Sequence, residues 1–285
     1  SRVVSFCWGL ARRWYRLPAP CTGRGPRNMR SYLTDLHVHT VLSPCASVEM
    51  TPSLVVETAL ELGLDIIAVT DHNAGDNAKA VWQAARQSSL TVWPGMEVEC
   101  AEEAHLLAIF DDWPAFASWC AKVDGWRNGR LNQSRLFGPQ WILSAEDELL
   151  GEREELLLSA LTADAQTLCE EAVRLGGMVI ASHVDRPAYS LLGQLGIWPT
   201  ELPVAAAEIS TCVATEAEAR RRLPLLPQEL PLVTASDAHS LDALCQGGKV
   251  QIMMEKPTLA EFHLALQGKD GRWLRWHNRN KEENA

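Results

Sequence analysis

The sequence predicts an α/β fold built around parallel strands, and three observations support this prediction. Short apolar runs of strand length alternate along the chain with segments of helical periodicity. Residues 65–70 are apolar throughout their centre, as expected for a parallel strand that is covered on both faces. Polar residues recur where predicted strands end, which is where α/β barrels hold their functional groups. A parallel sheet or barrel with its site at one edge is therefore expected.

The first predicted strand begins near Tyr32 and runs into the sequence Asp-Leu-His-Val-His-Thr at residues 35–40. Side chains alternate between the faces of a strand, so Asp35, His37 and His39 are expected to point to the same side. A solvated edge strand can present three polar groups in this way, and so can a strand whose imidazoles bind a metal ion. The two histidines alone leave both interpretations open.

The remaining elements follow in a regular order. After a proline-containing loop at 41–47, a helix is predicted from Thr51, an N-cap residue followed by proline, to Gly63. Further helices are predicted at 76–87, 164–175 and 257–266, and further strands at 65–70, 90–93, 105–110, 178–182, 204–209 and 232–235. The alternation is the pattern of a parallel sheet with crossover helices.

Residues 111–160 interrupt this regularity. The segment is rich in Trp and Asn, contains Gly138 and Pro139, and has an acidic stretch from Glu146 to Glu155. We expect an insertion over or beside the active face, in a position to influence substrate choice.

Charge restricts the expected partners. The chain of 285 residues has a net charge of −10, yet its first 30 residues contain seven arginines and no acid. Residues 31–285 therefore hold 19 basic and 36 acidic side chains. Such an acidic body repels long nucleic acid, whose binding depends on neutralising phosphates. A small substrate is the expected partner, and long nucleic acid is disfavoured.

Cellular location and domain limits can also be predicted. No apolar run reaches the roughly 18 residues of a membrane helix, and the eight cysteines are scattered without a Cys-x-x-Cys pair, which favours a reducing cytoplasm. One domain is expected at 31–277, followed by a flexible tail at 278–285. Residues 1–30 are expected to be a disordered extension, or sequence upstream of a true start at Met29, and residues 1–28 to be dispensable.

Six of the eight histidines lie at the start or end of predicted strands, and three acids lie beside them. The histidines are His37, His39, His72, His105, His183 and His239, and the acids are Asp71, Glu97 and Asp237. A single buried histidine is usually a hydrogen-bonded core residue, but six at successive strand ends are hard to explain that way. Mixed nitrogen and oxygen ligands suit zinc, manganese or iron better than calcium or magnesium. The set exceeds what one tetrahedral ion can use, so two or three divalent ions are expected.

Six motifs resemble, in order, those of the PHP (polymerase and histidinol phosphatase) superfamily. They are Asp-Leu-His-Val-His-Thr at 35–40, Val-Thr-Asp-His-Asn at 69–73, Gly-Met-Glu-Val-Glu at 95–99, His-Leu-Leu at 105–107, Ser-His-Val-Asp-Arg-Pro at 182–187 and Ser-Asp-Ala-His at 236–239. The resemblance implies a distorted seven-stranded (β/α) barrel with two or three metal ions at the carboxyl ends of its strands. The ligands that it implies are His37, His39, His72, Glu97, His105, His183, Asp237 and His239, with Glu97 as the bridge.

The sequence departs from this family pattern at one place. Family members usually supply another His or Asp shortly after the His-x-His motif, where this chain has Ser-Pro-Cys-Ala at 43–46. Only Cys45, or Glu49 slightly further on, could donate a ligand from that position. Two ions are therefore expected rather than three.

The resemblance implies an enzyme, a metal-dependent phosphoric ester hydrolase acting on a small phosphomonoester or a nucleotide-like phosphodiester. Two divalent ions can activate water at neutral pH and stabilise a phosphoryl transition state. Arg186 is a candidate to bind phosphate oxygens, since a guanidinium is forked and always charged, and Pro187 favours an extended backbone there. A surface ion pair with Asp185 is the alternative for Arg186. Asp71 or an unligated histidine is a candidate acid for the leaving group.

Other readings of the same residues stay open. The chain could be a nuclease that trims short nucleic acid ends, a metal-dependent hydrolase of carbon–nitrogen bonds, or a binding protein that kept the fold without turnover. Glu99 and Glu208 are also expected near the barrel mouth, and for both a structural hydrogen-bonding role is favoured over catalysis.

Overall fold

The computed structural model describes residues 28–277. The predictions made for residues 1–27 and 278–285 lie outside this range. The strands of the described range are β1 (Arg30–Val38), β2 (Ile66–Val69), β3 (Thr91–Glu99), β4 (His105–Ile109), β5 (Trp141–Leu143), β6 (Leu149–Glu152), β7 (Met178–Ala181), β8 (Ala206–Ile209), β9 (Leu232–Thr234), β10 (Lys249–Met254) and β11 (Trp273–His277). The helices are Pro52–Glu61, Ala78–Ala84, Trp113–Gly125, Ser134–Phe137, Ala165–Arg174, Leu191–Leu195, Glu216–Arg222, Leu241–Gln246 and Leu259–Leu266.

Nine of these strands form one curled sheet in the order β11-β10-β1-β2-β3-β4-β7-β8-β9, and β5 and β6 form a separate hairpin. Strands β1, β2 and β3 pair in parallel, as do β7, β8 and β9. The predicted α/β barrel is confirmed, but it has nine strands in place of seven. The additional pair, β10 and β11, follows the last motif of the chain and adds antiparallel to β1.

Hydrogen bonds between distant parts of the chain nearly close the sheet into a barrel. Val38, at the end of β1, pairs in parallel with Ala238, which lies beyond the end of β9. The backbone N–H of His39 donates to the carbonyl of Ala238 at 3.0 Å. On the other side, the indole N–H of Trp276 in β11 donates to the carbonyl of Leu232 in β9 at 3.0 Å. The carboxyl ends of β1 and β9 therefore lie side by side.

Strand β4 departs from the parallel arrangement that the alternation predicted, because it runs antiparallel to both β3 and β7. The link between β3 and β4 covers only residues 100–104, which is too short for the crossover that a parallel pair needs. Because of this reversal, the start of β4 lies at the same edge of the sheet as the ends of β3 and β7. Gly95 in β3 has no room for a side chain, since a Cβ there would lie 2.9 Å from the methyl group of Thr70.

Apolar side chains cover both faces of the sheet. One cluster draws buried residues from eight strands of the barrel, among them Leu36, Ile66 and Leu107, and therefore fills its interior. Phe262, from the helix Leu259–Leu266, belongs to the same cluster and is fully buried. A larger cluster packs the outer face against the surrounding helices. Burial on both faces explains why β2 is apolar at every position.

A buried ion pair lies beneath the His-x-His motif. Lys249 Nζ is 2.9 Å from Asp35 Oδ2 and donates to the carbonyl of Leu244 at 2.8 Å. The backbone N–H of Ser236 donates to the other oxygen of Asp35 at 3.1 Å. The pairing of β1 with β2 shifts register between Asp35 and Val38, so the strict alternation predicted for Asp35, His37 and His39 is interrupted. Asp35 joins β1 to β9 and β10 and does not face the imidazoles.

Residues 111–160 contain the helix Trp113–Gly125, the short helix Ser134–Phe137 and the β5–β6 hairpin. The sequence did not predict these elements. Gln140 organises the segment from a fully buried position. Its amide nitrogen donates to the carbonyls of Arg153 and Glu155, both at 2.8 Å, and its amide oxygen accepts from the N–H of Leu157 at 2.8 Å.

The same segment packs against loops that adjoin the ends of β1 and β2. Gly138 has a φ of +98° and lies so close to the carbonyl of Pro44 that a Cβ would clash with it. Asn73 donates its amide to the carbonyls of Leu157 and Ser159 at 2.9 and 3.1 Å. Within the described range, no helix is long and apolar enough to cross a membrane.

Candidate metal centre

The predicted ligands converge at the edge of the barrel where the parallel strands end. His37 and His39 come from the end of β1, His72 follows β2, Glu97 lies in β3, His105 opens β4, His183 follows β7, and Asp237 and His239 follow β9. His105 reaches this edge from the start of its strand because β4 is reversed. The structure thus brings together all eight residues that the family resemblance implied, and their roles as ligands remain a prediction.

Glu97 lies at the centre of the cluster, and its Oε2 faces three histidines. The distances are 3.3 Å to His37 Nε2, 3.3 Å to His39 Nε2 and 3.2 Å to His72 Nδ1. The carboxylate is almost fully buried. A buried carboxylate oxygen among nitrogens from two strands suits a divalent cation better than it suits solvent.

The other oxygen of Glu97 faces a second set of nitrogens. Its Oε1 is 3.1 Å from His105 Nδ1 and 3.2 Å from His183 Nε2. Two carboxylate oxygens that face separate imidazole groups are the arrangement expected of a ligand shared between two ions. The geometry is compatible with a bridging Glu97, and the bridge stays a prediction.

Asp237 provides a further test of whether a cation fits. Its Oδ1 is buried and accepts no hydrogen bond from the described residues, although it lies 3.2 Å from His37 Nε2 and 3.4 Å from His39 Nε2. These two nitrogens are themselves only 3.0 Å apart. A buried carboxylate oxygen without a donor, beside two converging imidazole nitrogens, fits a divalent ion.

Three groups of side chains in the described part of the chain place their donor atoms within 4.8 Å of one another. They are His39 with His72 and His239; His37 with His39, Glu97 and Asp237; and His72 with Glu97 and His105. The groups overlap, so neighbouring ions would share ligands. Cys45 and Glu49, the alternative extra ligands, belong to none of these groups. His183 belongs to none of them either, but its Nε2 lies 3.2 Å from Glu97 Oε1.

Neighbouring polar groups fix which nitrogen of each imidazole faces the cluster. Glu208 Oε2 is 2.9 Å from His37 Nδ1, so Nδ1 donates to this carboxylate and Nε2 points to the centre. His39 Nδ1 is 3.0 Å from Ser43 Oγ, and Ser43 in turn donates to Asp71 Oδ1 at 2.7 Å. The serine hydroxyl therefore accepts from His39 Nδ1, and Nε2 is the nitrogen that faces the cluster.

Asp71, the predicted acid for the leaving group, is engaged by the loop that follows β1. Its two oxygens accept hydrogen bonds from the backbone N–H and the hydroxyl of Thr40, both at 2.7 Å, besides the bond from Ser43. Burial raises the pKa of Asp71, while the charge of His39 and these hydrogen bonds oppose the increase. The contacts favour a role in positioning His39, and the catalytic role stays a prediction.

The charges of the cluster support one another. Burial lowers the pKa of His37, but the carboxylates of Glu208, Glu97 and Asp237 outweigh it and raise that pKa well above its usual value. Burial raises the pKa of Glu97, and the facing histidines, led by His105, lower it well below its usual value. Glu97 is therefore ionised and attracts positive charge into the centre, whether a proton or a metal ion.

Backbone strain accompanies the site. His183 has a φ of +27°, Asp237 of +49° and Asn73 of +47°, although none of the three is glycine. Such conformations cost on the order of 1–3 kcal/mol each and cluster at functional sites. Two of the three residues are candidate ligands. The rest of the fold therefore offsets the backbone strain that orients these two side chains.

Arg186 adjoins the cluster. Its NH1 is 2.7 Å from Asp237 Oδ2, and 44% of its side chain is exposed. The alternative pairing with Asp185 does not form, because Asp185 accepts from the N–H of Ser210 at 2.8 Å. The N–H of Arg186 donates to the carbonyl of His183 at 2.9 Å. This turn, in addition to the restraint from Pro187, directs the guanidinium back to the candidate ligands.

Some supporting residues had no visible signal in the sequence. Ser43 and Thr40 support His39 and Asp71, and nothing in their spacing predicts these contacts. Lys249 pairs with Asp35, which is more than 200 residues away in the chain. Glu208, by contrast, was expected to have a structural hydrogen-bonding role, and it bonds to His37 Nδ1 at 2.9 Å. Glu99, the other acid expected at the barrel mouth, is also buried there, and burial raises its pKa.

Comparison with known proteins assigns these features to a family. The sequence model of the PHP domain family matches residues 35–189, which is more than half of the chain. A search of curated proteins found no match.

Several solved structures share the fold. The lesion-specific endonuclease Q of Pyrococcus furiosus superposes with a TM-score of 0.62 and 18% identity, over 86% of this chain and 58% of its own. An endonuclease Q complex with a 27-mer duplex that has an abasic lesion at the active site superposes with a TM-score of 0.57 and 19% identity, with the same coverage of both chains. A candidate metal-dependent phosphoesterase of Bifidobacterium adolescentis superposes with a TM-score of 0.52 and 20% identity, over 72% of this chain and 87% of its own. The chain spans less than two thirds of the endonuclease Q chains.

Proposed function

Because the chain belongs to the PHP domain family, we propose that it is a metal-dependent phosphoesterase that hydrolyses a small phosphomonoester or a nucleotide-like phosphodiester. One observation carries the proposal, namely the position of Glu97. Its two oxygens face five imidazoles that come from four strands, at the edge of the sheet where α/β barrels hold their active sites.

The residues that would hold two or three divalent ions are His37, His39, His72, Glu97, His105, His183, Asp237 and His239. Zinc, manganese and iron are the candidate metals, because the donors are imidazole nitrogens and carboxylate oxygens. Ions bound there would activate water at neutral pH and offset the negative charge of a phosphoryl group.

Arg186 would bind the phosphate from the solvent side of the centre. Its guanidinium has five N–H donors in a fixed plane, so it can hold Asp237 and still donate to phosphate oxygens. Being half exposed, it is accessible to an incoming ligand. It would orient the phosphoryl group and stabilise charge on the non-bridging oxygens during the reaction.

His37 and His39 would present Nε2 to a bound ion, because their Nδ1 atoms are engaged by hydrogen-bonded partners. Glu208 and Ser43 hold the Nδ1 protons, so that a ring rotation or a tautomer change would break a buried hydrogen bond. Asp71 acts one step further out, through Ser43. These contacts keep the donor nitrogens aimed at the centre before substrate binds.

Cleavage of nucleic acid is the second candidate function. The fold similarity to endonuclease Q, one structure of which holds a DNA duplex, favours it. The acidic body of the chain favours small substrates, but the prediction that long nucleic acid is disfavoured is not confirmed by these neighbours. Short oligonucleotides therefore belong in the panel of substrates.

The test is metal analysis of the purified protein, followed by a panel of phosphomonoesters, phosphodiesters and short oligonucleotides with added Mn²⁺, Zn²⁺ or Fe²⁺. We expect bound metal and chelator-sensitive hydrolysis that returns when metal is restored. His105→Ala should lose both, whereas His277→Ala, in β11 and outside the donor groups, serves as the matched control and should keep both. Protein that binds no metal and ignores chelator would refute the proposal.

A further inference from the structure

Tyr189 places an exposed aromatic ring on the rim of the metal centre. The residue is 49% exposed, yet its ring stacks on the imidazole of His105, with centroids 4.9 Å apart and planes at 28°. The same imidazole faces Glu97 at 3.1 Å. One side of the phenol ring therefore rests on a candidate ligand while much of the remaining ring is open to solvent.

The backbone of Tyr189 is held in place at a cost. Its φ of +57° lies in the left-handed region, which a bulky residue rarely adopts. Its carbonyl accepts from the N–H of His105 at 2.9 Å. The next residue, Ser190, donates its hydroxyl to the carbonyl of Arg186 at 2.6 Å and accepts from the N–H of Gly193 at 3.0 Å. The exposed ring of Tyr189 contributes little to core packing, although its backbone is strained and held by hydrogen bonds. Strain of this kind clusters at functional sites, which indicates a functional use for the ring.

The same loop presents two complementary groups. Residues 186–189 are exposed, whereas His183, Val184 and Ser190 on either side are buried. The loop begins with the guanidinium of Arg186 and ends with the ring of Tyr189. A cationic fork and a flat aromatic surface, separated by two residues on one loop beside a metal centre, match a phosphate that is attached to a planar group.

We propose that Tyr189 is a specificity residue that stacks on a planar aromatic group next to the substrate's phosphate, so that the site prefers nucleotide-like and aryl phosphoesters to sugar or alkyl phosphoesters. This inference rests on the proposed phosphoesterase function and narrows its substrate class. Stacking of a base on an aromatic side chain contributes about 1–3 kcal/mol, which corresponds to roughly a 5- to 150-fold preference in affinity.

The experiment compares ligands that differ only in the planar group. Adenosine 5′-monophosphate and ribose 5-phosphate share the same phosphomonoester, and phenyl phosphate and cyclohexyl phosphate form a second pair. Dissociation constants are measured by calorimetry with Mn²⁺ present. Where turnover occurs, kcat/KM is compared only within the nucleotide pair, because phenol is a better leaving group than cyclohexanol whatever residue 189 is. Wild-type protein should prefer the aromatic member of at least one pair, and the pair affected tells a nucleobase from a simple aryl group.

Variants at position 189 distinguish stacking from support of His105. Tyr189→Phe should keep the preference, while Tyr189→Ala should reduce the ratio within the preferred pair to near one. Tyr189→Leu, which retains apolar bulk without a ring, covers the case in which the alanine variant is unstable. If Tyr189 merely positions His105, both members of a pair weaken equally and the ratio stays.

Failure of this inference can be told from failure of the proposed function. Equal affinities in both pairs of wild-type protein, an unchanged ratio in Tyr189→Ala, or no measurable binding would overturn the role of Tyr189. Preferential binding of the aromatic ligand without hydrolysis of any phosphoester would support Tyr189 and contradict the phosphoesterase proposal.

Discussion

The metal centre and the segment 111–160 pack against each other but are built in opposite ways. The candidate metal centre takes single residues from successive strands, and each lies within a strand or at most five positions beyond its end. The segment depends on buried amides such as Gln140, whose three hydrogen bonds join stretches of irregular chain. A candidate ligand can therefore be located from the strand that it follows, whereas a residue of the segment cannot be located from secondary structure alone.

Because of this difference, the candidate ligands and the segment 111–160 can change independently of each other. A strand end at the rim of a barrel is fixed by the whole sheet, so a ligand there tolerates changes in distant loops. The segment can change its course without moving the ligands, provided that its contacts with Asn73 and Pro44 persist. The following changes test this separation, from the largest expected effect to the smallest.

Glu97→Gln should have the largest effect. The side chain keeps its shape but loses the charge that faces five imidazoles, so bound metal should fall and kcat/KM should drop on the order of 1,000-fold. Metal content and steady-state kinetics measure this, with Glu148→Gln, in the exposed turn of the β5–β6 hairpin, as the matched control. Full metal content in Glu97→Gln would remove Glu97 from its assigned position as a bridge.

Arg186→Ala should keep its metal and lose turnover. Loss of one preorganised donor to a developing charge costs about 2–4 kcal/mol, or roughly a 30- to 1,000-fold decrease in kcat/KM. Arg186→Lys should restore part of the rate, since a point charge cannot reproduce the fork. Unchanged kinetics in fully metallated Arg186→Ala protein would contradict the phosphate-binding role.

Glu208→Gln tests the support of a ligand from behind. Its partner His37 would keep a hydrogen bond to the amide oxygen but lose the charge that fixes its tautomer. Changes at such supporting residues typically weaken metal affinity by about 10- to 100-fold. Competition with a metal-sensitive dye measures the affinity. An affinity equal to that of wild-type protein would show that Glu208 only fills space.

Gln140→Ala should destabilise the segment and spare the centre. It leaves the N–H of Leu157 and two carbonyls without partners, at about 1–3 kcal/mol for a buried unsatisfied group. Urea unfolding measures the loss, and we expect metal content at 25 °C to match wild type. If the variant releases metal as Glu97→Gln does, the segment and the centre are one unit and the comparison fails.

Cys45→Ser should have the smallest effect. Cys45 is exposed and belongs to none of the three donor groups, so metal content and its zinc-to-manganese ratio should stay unchanged. A loss of one metal equivalent per chain would instead restore Cys45 as a ligand of a third ion.

The sequence predicted which residues converge at the rim of the barrel better than it predicted the rest of the chain, and particular residues show why. His72 and His183 follow apolar runs whose burial makes the strand assignment secure, so their place at the rim follows. The direction of β4 depends on its short link to β3, and β10 and β11 lie beyond the last motif. Ser43 and Tyr189 act through loop conformations that a pattern of residue types does not encode. The domain limits and the dispensability of residues 1–28 remain predictions.

The reversed strand β4 has a consequence for how the site assembles during folding. Glu97 and His105 belong to one hairpin and are eight residues apart, so their pairing closes only a small loop and can form early. His37 meets Glu208 across 171 residues, and Asp237 and His239 join only when β9 docks beside β1. Two of the eight candidate ligands are thus joined by a local contact, whereas Asp237 and His239 depend on closure of the ring between β9 and β1. We therefore expect full metal affinity to emerge in the final folding step, and partial unfolding from the β9 side to release metal before the hairpin opens.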